Sequence, residues 1–228
     1  MDNYVTFASG FGKQIEHWNG IDFTVNARPG RGLLLQGGIS TGRTSTDNCE
    51  IRAAIPELTV AGIVSAAGPG VNASNPWCHI DSRFVTRGTA LASYLIPKID
   101  VLFATTFRSD QGGPLAANYT IPLSVAQAGG FNRTTFANGQ SPIVNLVEPG
   151  TLYGDRVNEL DLKIAKVLRF GSTRTNIGLE VFNALNSNAV LTYNQVFNPN
   201  VQSGVGAWLQ PTQVLTSRFF KFSATFDF

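Results

Sequence analysis

The two cysteines, Cys49 and Cys78, offer the clearest chemistry in this chain. They flank a segment rich in glycine, alanine and proline. A disulfide between them would close a long loop and would indicate an oxidising compartment. Two alternatives are open, a pair of buried free thiols and a metal site that also uses His79. Such a metal site would have three ligands and no Cys-x-x-Cys spacing, so the sequence favours the disulfide.

Catalytic chemistry finds little support among the other side chains. The two histidines, His17 and His79, lie in predicted loops, and no serine or cysteine nucleophile motif lies near either. Asp47, Asn48 and Glu50 could surround a Ca²⁺ ion, although acidic loop residues are usually only solvated. We therefore predict no enzyme activity, no catalytic residue, no resident metal and no cofactor.

Five aromatic residues in the predicted loops could contact a ligand by stacking on a sugar ring or a similar solute. The alternative is that each ring packs within its own loop. The candidate ligand-contact residues are Trp77, Tyr119, Tyr153, Tyr193 and Trp208.

The composition limits the class of protein. Charged residues make up 14% of the chain, against roughly 25% in soluble domains. The net charge is +2 and no cluster of lysine and arginine is present, so a nucleic-acid partner is not expected. The longest weakly apolar stretch, residues 61–71, is too short and too interrupted for a spanning helix. A membrane protein of this composition would have to be a β-barrel.

The end of the chain has the pattern of a two-faced strand. Phe220, Phe222, Ala224, Phe226 and Phe228 alternate with polar or charged residues and so share one face of an extended strand. An aromatic row that continues to the carboxyl terminus, with a charged row behind it, is typical of the wall of a transmembrane barrel.

Similar alternation predicts six earlier strands, and the lengths of their connections alternate as well. Short turns at 29–32, 96–98 and 170–173 are separated by long loops, the first of which holds both cysteines. Outer-membrane barrels have this rhythm because their periplasmic turns are short and their extracellular loops long. The predicted strands cover roughly residues 21–28, 33–40, 84–95, 101–107, 160–165, 177–181 and 218–228, with a further strand possible at 4–8.

The sequence thus predicts an all-β fold, an antiparallel transmembrane β-barrel segment of about seven or eight strands. Phe228 would be periplasmic and the cysteine loop extracellular. Lys166 is the one charge on the apolar row, close enough to a turn to reach the interface. The facing of the strand at 84–95 is left open. Residues near strand ends that would form an aromatic girdle are Trp18, Tyr94, Phe170 and Phe228. Strand charges on the opposite row are Asp22, Arg28, Asp161, Lys163, Glu180, Lys221 and Asp227.

Two observations predict that the chain is part of a longer protein. Seven countable strands disfavour a closed single-chain bacterial barrel, which has an even number. The first residues also lack the basic and apolar regions of a signal peptide. We therefore expect that Met1 is not the natural start, and that the chain is the C-terminal part of a larger barrel protein.

Two motifs and the terminal strand carry a family likeness. The first is Arg-x-Asn-x-Leu-Asp-Leu at 156–162, the second is Phe-Asn-x-Leu-Asn at 182–186, and Trp-Leu-Gln-Pro at 208–211 precedes the final strand. Together they resemble the end of a TonB-dependent receptor barrel. The closer likeness is to the Oar-like group, whose members carry a carboxypeptidase-regulatory-like domain at the N-terminus.

The resemblance implies a 22-stranded barrel with an internal plug in the bacterial cell outer membrane. Such a receptor takes up a bulky solute with energy from the TonB complex, which it contacts through an N-terminal part that this chain lacks. The terminal row of Phe220, Phe222, Phe226 and Phe228 resembles the signal read by the barrel-assembly machinery. The implied partners are outer-membrane lipid, that machinery, the TonB complex and a solute of unknown identity.

Two other functions remain open from the residues alone. One is a small self-contained outer-membrane barrel or adhesin. The other is a secreted soluble β-sandwich that binds carbohydrate.

Overall fold

The computed structural model describes residues 6–30, 32–55, 76–136, 139, 141–171 and 173–227. A 3₁₀ turn, Ala8–Gly10, precedes the first strand, and two short helices, α1 (Cys49–Ala54) and α2 (Leu123–Ala128), lie in loops. No helix in these ranges has the length and apolar character needed to span a membrane. The strands are β1 (Ile15–Gly30), β2 (Leu33–Asp47), β3 (His79–Asp81), β4 (Val85–Ile96), β5 (Val101–Asp110), β6 (Asn118–Thr120), β7 (Ile143–Asn145), β8 (Val157–Phe170), β9 (Thr173–Phe182), β10 (Val190–Tyr193), β11 (Val196–Phe197), β12 (Pro211–Val214) and β13 (Phe219–Asp227).

Seven long strands form one antiparallel sheet in the order β1-β2-β4-β5-β8-β9-β13, and β3 pairs with the end of β2. Each strand therefore follows its neighbour along the chain, and every connection reverses the chain direction. The three short connections, which join β1 to β2, β4 to β5 and β8 to β9, consequently lie at one end of the sheet. The three long connections lie at the other end, which we call the loop end. This confirms the predicted all-β, antiparallel class.

The predicted strands are all present, and several are longer than expected. The second strand was predicted to end near residue 40, but β2 continues to Asp47. Its last residues, 41–47, are mostly threonine and serine with one glycine, one arginine and one aspartate, and so carry no apolar signal. Of the possible strand at 4–8, residues 1–5 lie outside the described part of the chain, and Ala8 begins the 3₁₀ turn.

One face of the sheet, the apolar face, carries aligned rows of apolar side chains. Directly opposed residues of antiparallel strands point to the same side. Phe222 is 82% exposed, Ile164 50% and Phe103 43%. The apolar face is therefore not covered by any described part of the chain. One of its rows runs through Phe222, Leu179, Ile164, Phe103, Tyr94 and Leu33. The register also settles the facing of β4, which presents Ala90, Ala92 and Tyr94 to this side.

The other side, the polar face, carries two ion-paired clusters that cross neighbouring strands. In the first cluster, the Arg108 guanidinium lies 2.6 Å from the Glu159 carboxylate and 3.6 Å from the Asp110 carboxylate. Asp110 also meets Arg87 at 3.2 Å. In the second, the Glu180 carboxylate lies 2.6 Å from Lys163 Nζ and 3.3 Å from Lys221 Nζ. Single exposed ion pairs contribute little to stability, roughly 0–1 kcal/mol each, so their main information is the facing of these strands.

The predicted disulfide between Cys49 and Cys78 is present, with the two Cα atoms 4.7 Å apart. Both sulfur atoms are used in the bond, so the free-thiol and metal-site alternatives are excluded. The bond joins the start of α1 to the residue before β3. It thereby closes the first long connection where that connection leaves and rejoins the sheet.

Replacing both cysteines, as Cys49→Ala together with Cys78→Ala, should lower the free energy of unfolding by about 3.5 kcal/mol, because the unfolded chain then gains the freedom of an open loop. Urea unfolding followed by circular dichroism measures the change. The unmodified protein in reducing buffer is the control and should unfold like the variant. Equal stability of the oxidised protein and the variant would contradict this role of the bond.

Candidate ligand-binding site at the loop end of the sheet

The second and third long connections pack into one body. Strand β6 pairs antiparallel with β7 and parallel with β11, which joins residues on either side of β8 and β9. The backbone N–H of Asn118 donates to the carbonyl of Gln195 at 2.8 Å, and the Gln195 side chain accepts from Ala116 N at 2.7 Å. Leu115, Ala116 and Ala117, which precede β6, are buried. The parallel pairing was not predicted from the sequence.

Two of the predicted ligand-contact aromatics, Tyr119 and Trp208, lie inside this packed body. Phe197 meets both rings edge-on, with centroids 6.2 Å from Tyr119 and 6.0 Å from Trp208. The Trp208 indole N–H also donates to the carbonyl of Ala116 at 2.9 Å. Both rings therefore hold the loops together, and their contact with a ligand stays a prediction.

The other three predicted aromatics occupy different places. The ring of Tyr193 packs against Gly154, where an added Cβ would lie 3.0 Å from a ring carbon. Its hydroxyl accepts a hydrogen bond from Asp155 N at 3.4 Å, and burial raises the pKa of Tyr193 above its ordinary value. Trp77 is half-buried beside the disulfide. Tyr153 alone lines a groove on the polar face.

This groove, of about 480 Å³, lies at the loop end between the polar face and two loop segments, 111–114 and 149–153. The sheet side of the groove is formed by β1, β2 and β4. We call it the mouth groove. Its charged and amide side chains are Glu16, Arg87 and Gln111, and its aromatic side chains are Trp18 and Tyr153.

Trp18 lies flat on the sheet inside the mouth groove. Gly20 and Gly42 are directly opposed in the β1–β2 pair. A Cβ added at either glycine would come within 2.3 Å of Trp18 ring atoms, so only glycine leaves room for the ring. The side chain is nevertheless 50% exposed. One indole face is thus supported by backbone while much of the ring stays accessible.

The prediction that Trp18 belongs to a girdle on the apolar face is wrong. Trp18 lies opposite Thr44, two residues from Gly20 and four from Asp22, so it shares the polar face with them. The prediction rested only on the position of Trp18 near a strand end. The even spacing between Trp18 and Asp22 would have predicted the polar face for Trp18. Tyr94 does lie on the apolar face near a short turn. The side chain of Phe170 and all of Phe228 lie outside the described part of the chain.

Backbone hydrogen bonds clamp the loop side of the mouth groove to the sheet. Ser82 N donates to Thr44 O at 2.9 Å, and Ser82 Oγ accepts from Thr44 N at 2.8 Å. Gly150, with φ of +79°, packs on Ser82, where an added Cβ would lie 2.8 Å from Cα. Arg83 N donates to the carbonyl of Gly150 at 3.1 Å. The groove is therefore built on fixed backbone.

The two motifs behind the family resemblance meet at the base of the third long connection. Asn183, with φ of 48°, donates its backbone N–H to the Asp161 carboxylate at 2.9 Å. Its side-chain amide donates to the carbonyls of Ser187 and Thr216, each at 2.8 Å. Arg156 donates to Ser109 Oγ at 3.1 Å. The motif residues thus fix where the loops enter and leave the strands.

Two of the three residues considered for Ca²⁺, Asp47 and Glu50, have other partners, whereas the side-chain oxygen of Asn48 is buried without one. The Asp47 carboxylate accepts from Cys49 N at 2.9 Å and lies 3.2 Å from His79 Nδ1. Glu50 accepts from Lys13 N at 2.9 Å. Within the described ranges, no three His, Cys, Asp or Glu side chains converge so that they could hold a metal ion.

The terminal aromatic row lies on the exposed apolar face of β13, at Phe220, Phe222 and Phe226. Phe228, its last predicted member, lies outside the described residues. No family model, no curated protein and no solved structure matches this chain. What the protein does must therefore follow from its two-faced sheet, its packed loops and the mouth groove.

His79 should titrate above the ordinary histidine pKa of 6.5, because hydrogen bonds to Asp47 and then Asp81 favour the imidazolium. The stabilisation that this ion cluster gives to β3 is complete below pH 6.5 and is lost as the pH rises through the raised pKa. Asp47→Asn should lower the pKa of His79, measured by NMR from the ring proton shifts.

The control is Glu50→Gln, which changes a nearby carboxylate that contacts Lys13 instead. The chain has two histidines, so His17→Gln assigns the signals. An unchanged His79 titration in Asp47→Asn would contradict the cluster.

Proposed function

We propose that this chain forms part of the wall and the extracellular loops of a TonB-dependent receptor, which takes up a bulky solute across the bacterial outer membrane. The observation that carries the proposal is the contrast between the two faces of the sheet. The apolar face is exposed along its rows, whereas the polar face holds the ion pairs.

An exposed apolar face of this extent needs an apolar environment. Soluble monomers rarely expose contiguous apolar patches of more than a few hundred Å². In a bilayer the same face is in contact with acyl chains, and the sheet satisfies the backbone groups between its strands. The seven long strands have between 9 and 16 residues. A strand needs about 9–11 residues to cross a membrane, so each is long enough.

The placement of charge supports the same assignment. Both ion-paired clusters lie on the polar face, which would line the interior of a barrel. Lys166, the one lysine on the apolar rows, donates to the carbonyl of Ile99 in a short turn. It therefore places its ammonium at the membrane boundary rather than in the acyl region.

The loops support an orientation. In outer-membrane barrels the short turns are periplasmic and the long loops extracellular. The Cys49–Cys78 bond would then face the oxidising exterior. Among the described residues, β1 pairs only with β2, and β13 only with β9. We infer that further strands of a larger barrel pair with these two edges, since long unpaired edges invite aggregation.

The remaining partners follow from the same proposal. The barrel-assembly machinery would read the aromatic row of β13, and outer-membrane lipid would cover the apolar face. The TonB complex would act through a part of the protein outside this sequence. The choice of the receptor family over a generic barrel rests on the resemblance of the motifs around Asp161 and Asn183, which contact each other through a hydrogen bond.

Lysine substitutions on the two faces of β5 test the proposal. Phe107→Lys puts a charge on the apolar face away from the short turns, opposite Ala90 of β4 and Leu160 of β8, and should weaken insertion into lipid vesicles by about 2–4 kcal/mol. Thr106→Lys, on the same strand but facing Asp161, should change insertion by less than about 1 kcal/mol. Flotation of vesicles after refolding, with urea titration, measures both.

Equal effects of the two lysines would contradict the proposed facing. A chain that stays monomeric and folded without detergent or lipid would contradict the membrane assignment and favour the secreted β-sandwich. Migration on a gel that changes with heating, for the chain refolded alone, would favour the small self-contained barrel.

A further inference from the structure

We propose that the mouth groove binds a neutral oligosaccharide, with one sugar ring stacked on Trp18. This names the ligand class of the receptor proposed above and rests on that function. The binding step itself, however, requires only the groove at the loop end.

The geometry of Trp18 is that of a stacking platform. Its ring is supported from below by the Gly20–Gly42 pair, where any side chain would collide with it. Half of the side chain remains exposed beside polar groups. A sugar ring has an apolar face of C–H groups and a rim of hydroxyls. Stacking would bury the exposed indole without removing the hydroxyls from polar partners.

The glycine pair points to a use for the flat ring. Glycine inside a strand costs roughly 0.5–1 kcal/mol relative to alanine, and here two glycines are directly opposed. The indole covers them and restores part of the packing. If Trp18 only supported the strand, its ring could be fully covered. The ring is instead half-exposed in a groove, which also suits contact with a ligand. The two roles are separable by experiment.

The charges around the platform favour a neutral ligand. The Arg87 guanidinium is 3.2 Å from the Asp110 carboxylate, so it is already compensated. Glu16 lies at the opposite side of the groove, on β1. Both charge signs are therefore present, and none of the ion pairs among the described residues includes Glu16, so its carboxylate is left to accept hydrogen bonds from ligand hydroxyls. Carboxylate, guanidinium and amide groups can donate to and accept from sugar hydroxyls.

Tyr153 and Gln111 give the groove its second wall. Gln111 is held by its amide, which donates to the carbonyl of Gly154 at 2.8 Å, and by Arg156, which donates to its oxygen at 3.3 Å. Tyr153 is fixed by a backbone bridge to Pro114. Tyr153 and Gln111 are therefore held in place opposite the flat indole of Trp18. Together the two sides would fix the orientation of a linear oligosaccharide chain.

The experiment uses the full chain refolded in detergent micelles and titrated with maltohexaose, cellohexaose and xylohexaose by calorimetry. At least one of the three sugars should bind, and Trp18→Ala should weaken that binding about tenfold, since the apolar contact with the ring is lost. The matched control is Phe84→Ala, which removes an aromatic side chain, 64% exposed, near the loop end of β4. It should leave the affinity unchanged.

Gly42→Ala tests the platform without removing the ring, because its Cβ would tilt the indole. It should weaken binding while the circular dichroism spectrum stays unchanged, and it keeps the proposal testable if Trp18→Ala fails to fold. Absence of binding by all three sugars would overturn the proposal. So would undiminished binding by both platform variants, which would leave Trp18 as a support for the strand.

Tetramethylammonium chloride is the probe for a cationic ligand over the indole. Its binding in place of the sugars would also overturn the proposal. Flotation with vesicles is run on the same samples. If the unmodified chain inserts but binds none of the sugars, only the sugar proposal is contradicted. If it binds a sugar but never inserts, only the membrane receptor is contradicted.

Discussion

The structure depends on one constraint, an uninterrupted antiparallel register that keeps the two faces of the sheet separate. From β2 to β13 every pair along the sheet path is in continuous register, and the shift in the β1–β2 pair lies beside the short turn. A slip of one residue in any strand would move its apolar side chains to the polar face. The cross-strand pairs Arg108–Glu159 and Lys163–Glu180 are satisfied only in this register. Specificity for the register, rather than net energy, is the main contribution of these pairs.

The strands could be predicted well because period-two alternation is a local property. Their rows of phenylalanine, leucine and isoleucine are visible in the sequence, and the opposed rows confirm them. The end of β2 was missed because Thr41–Asp47 has no large apolar side chain, so pairing with β1 and β3 decides its conformation. Backbone pairing over distances of many residues leaves no periodic signal within a single segment.

The site was predicted less well, for a related reason. Aromatic loop residues are visible in sequence, but their contacts depend on which loops meet. Tyr119 faces Phe197 because β6 and β11 pair in parallel, and Trp208 donates to the carbonyl of Ala116, so both rings make contacts over about eighty positions or more. Trp18 was assigned to an aromatic girdle from its position near a strand end, although its even spacing from Asp22 already indicated the polar face. The support beneath its ring requires Gly42 on the next strand, so only the register brings the two together.

The disulfide has a consequence for how this surface can change over time. Its two Cα atoms are 4.7 Å apart, nearly the spacing of adjacent strands. The chain therefore departs from the sheet and comes back at almost the same point, whatever lies between the two cysteines. Residues can therefore be added to or deleted from the interior of this loop while the bond keeps the strand ends together. A break of the chain in this stretch would also leave both pieces covalently attached. If the loop is extracellular as proposed, it is a practical place to display an inserted epitope.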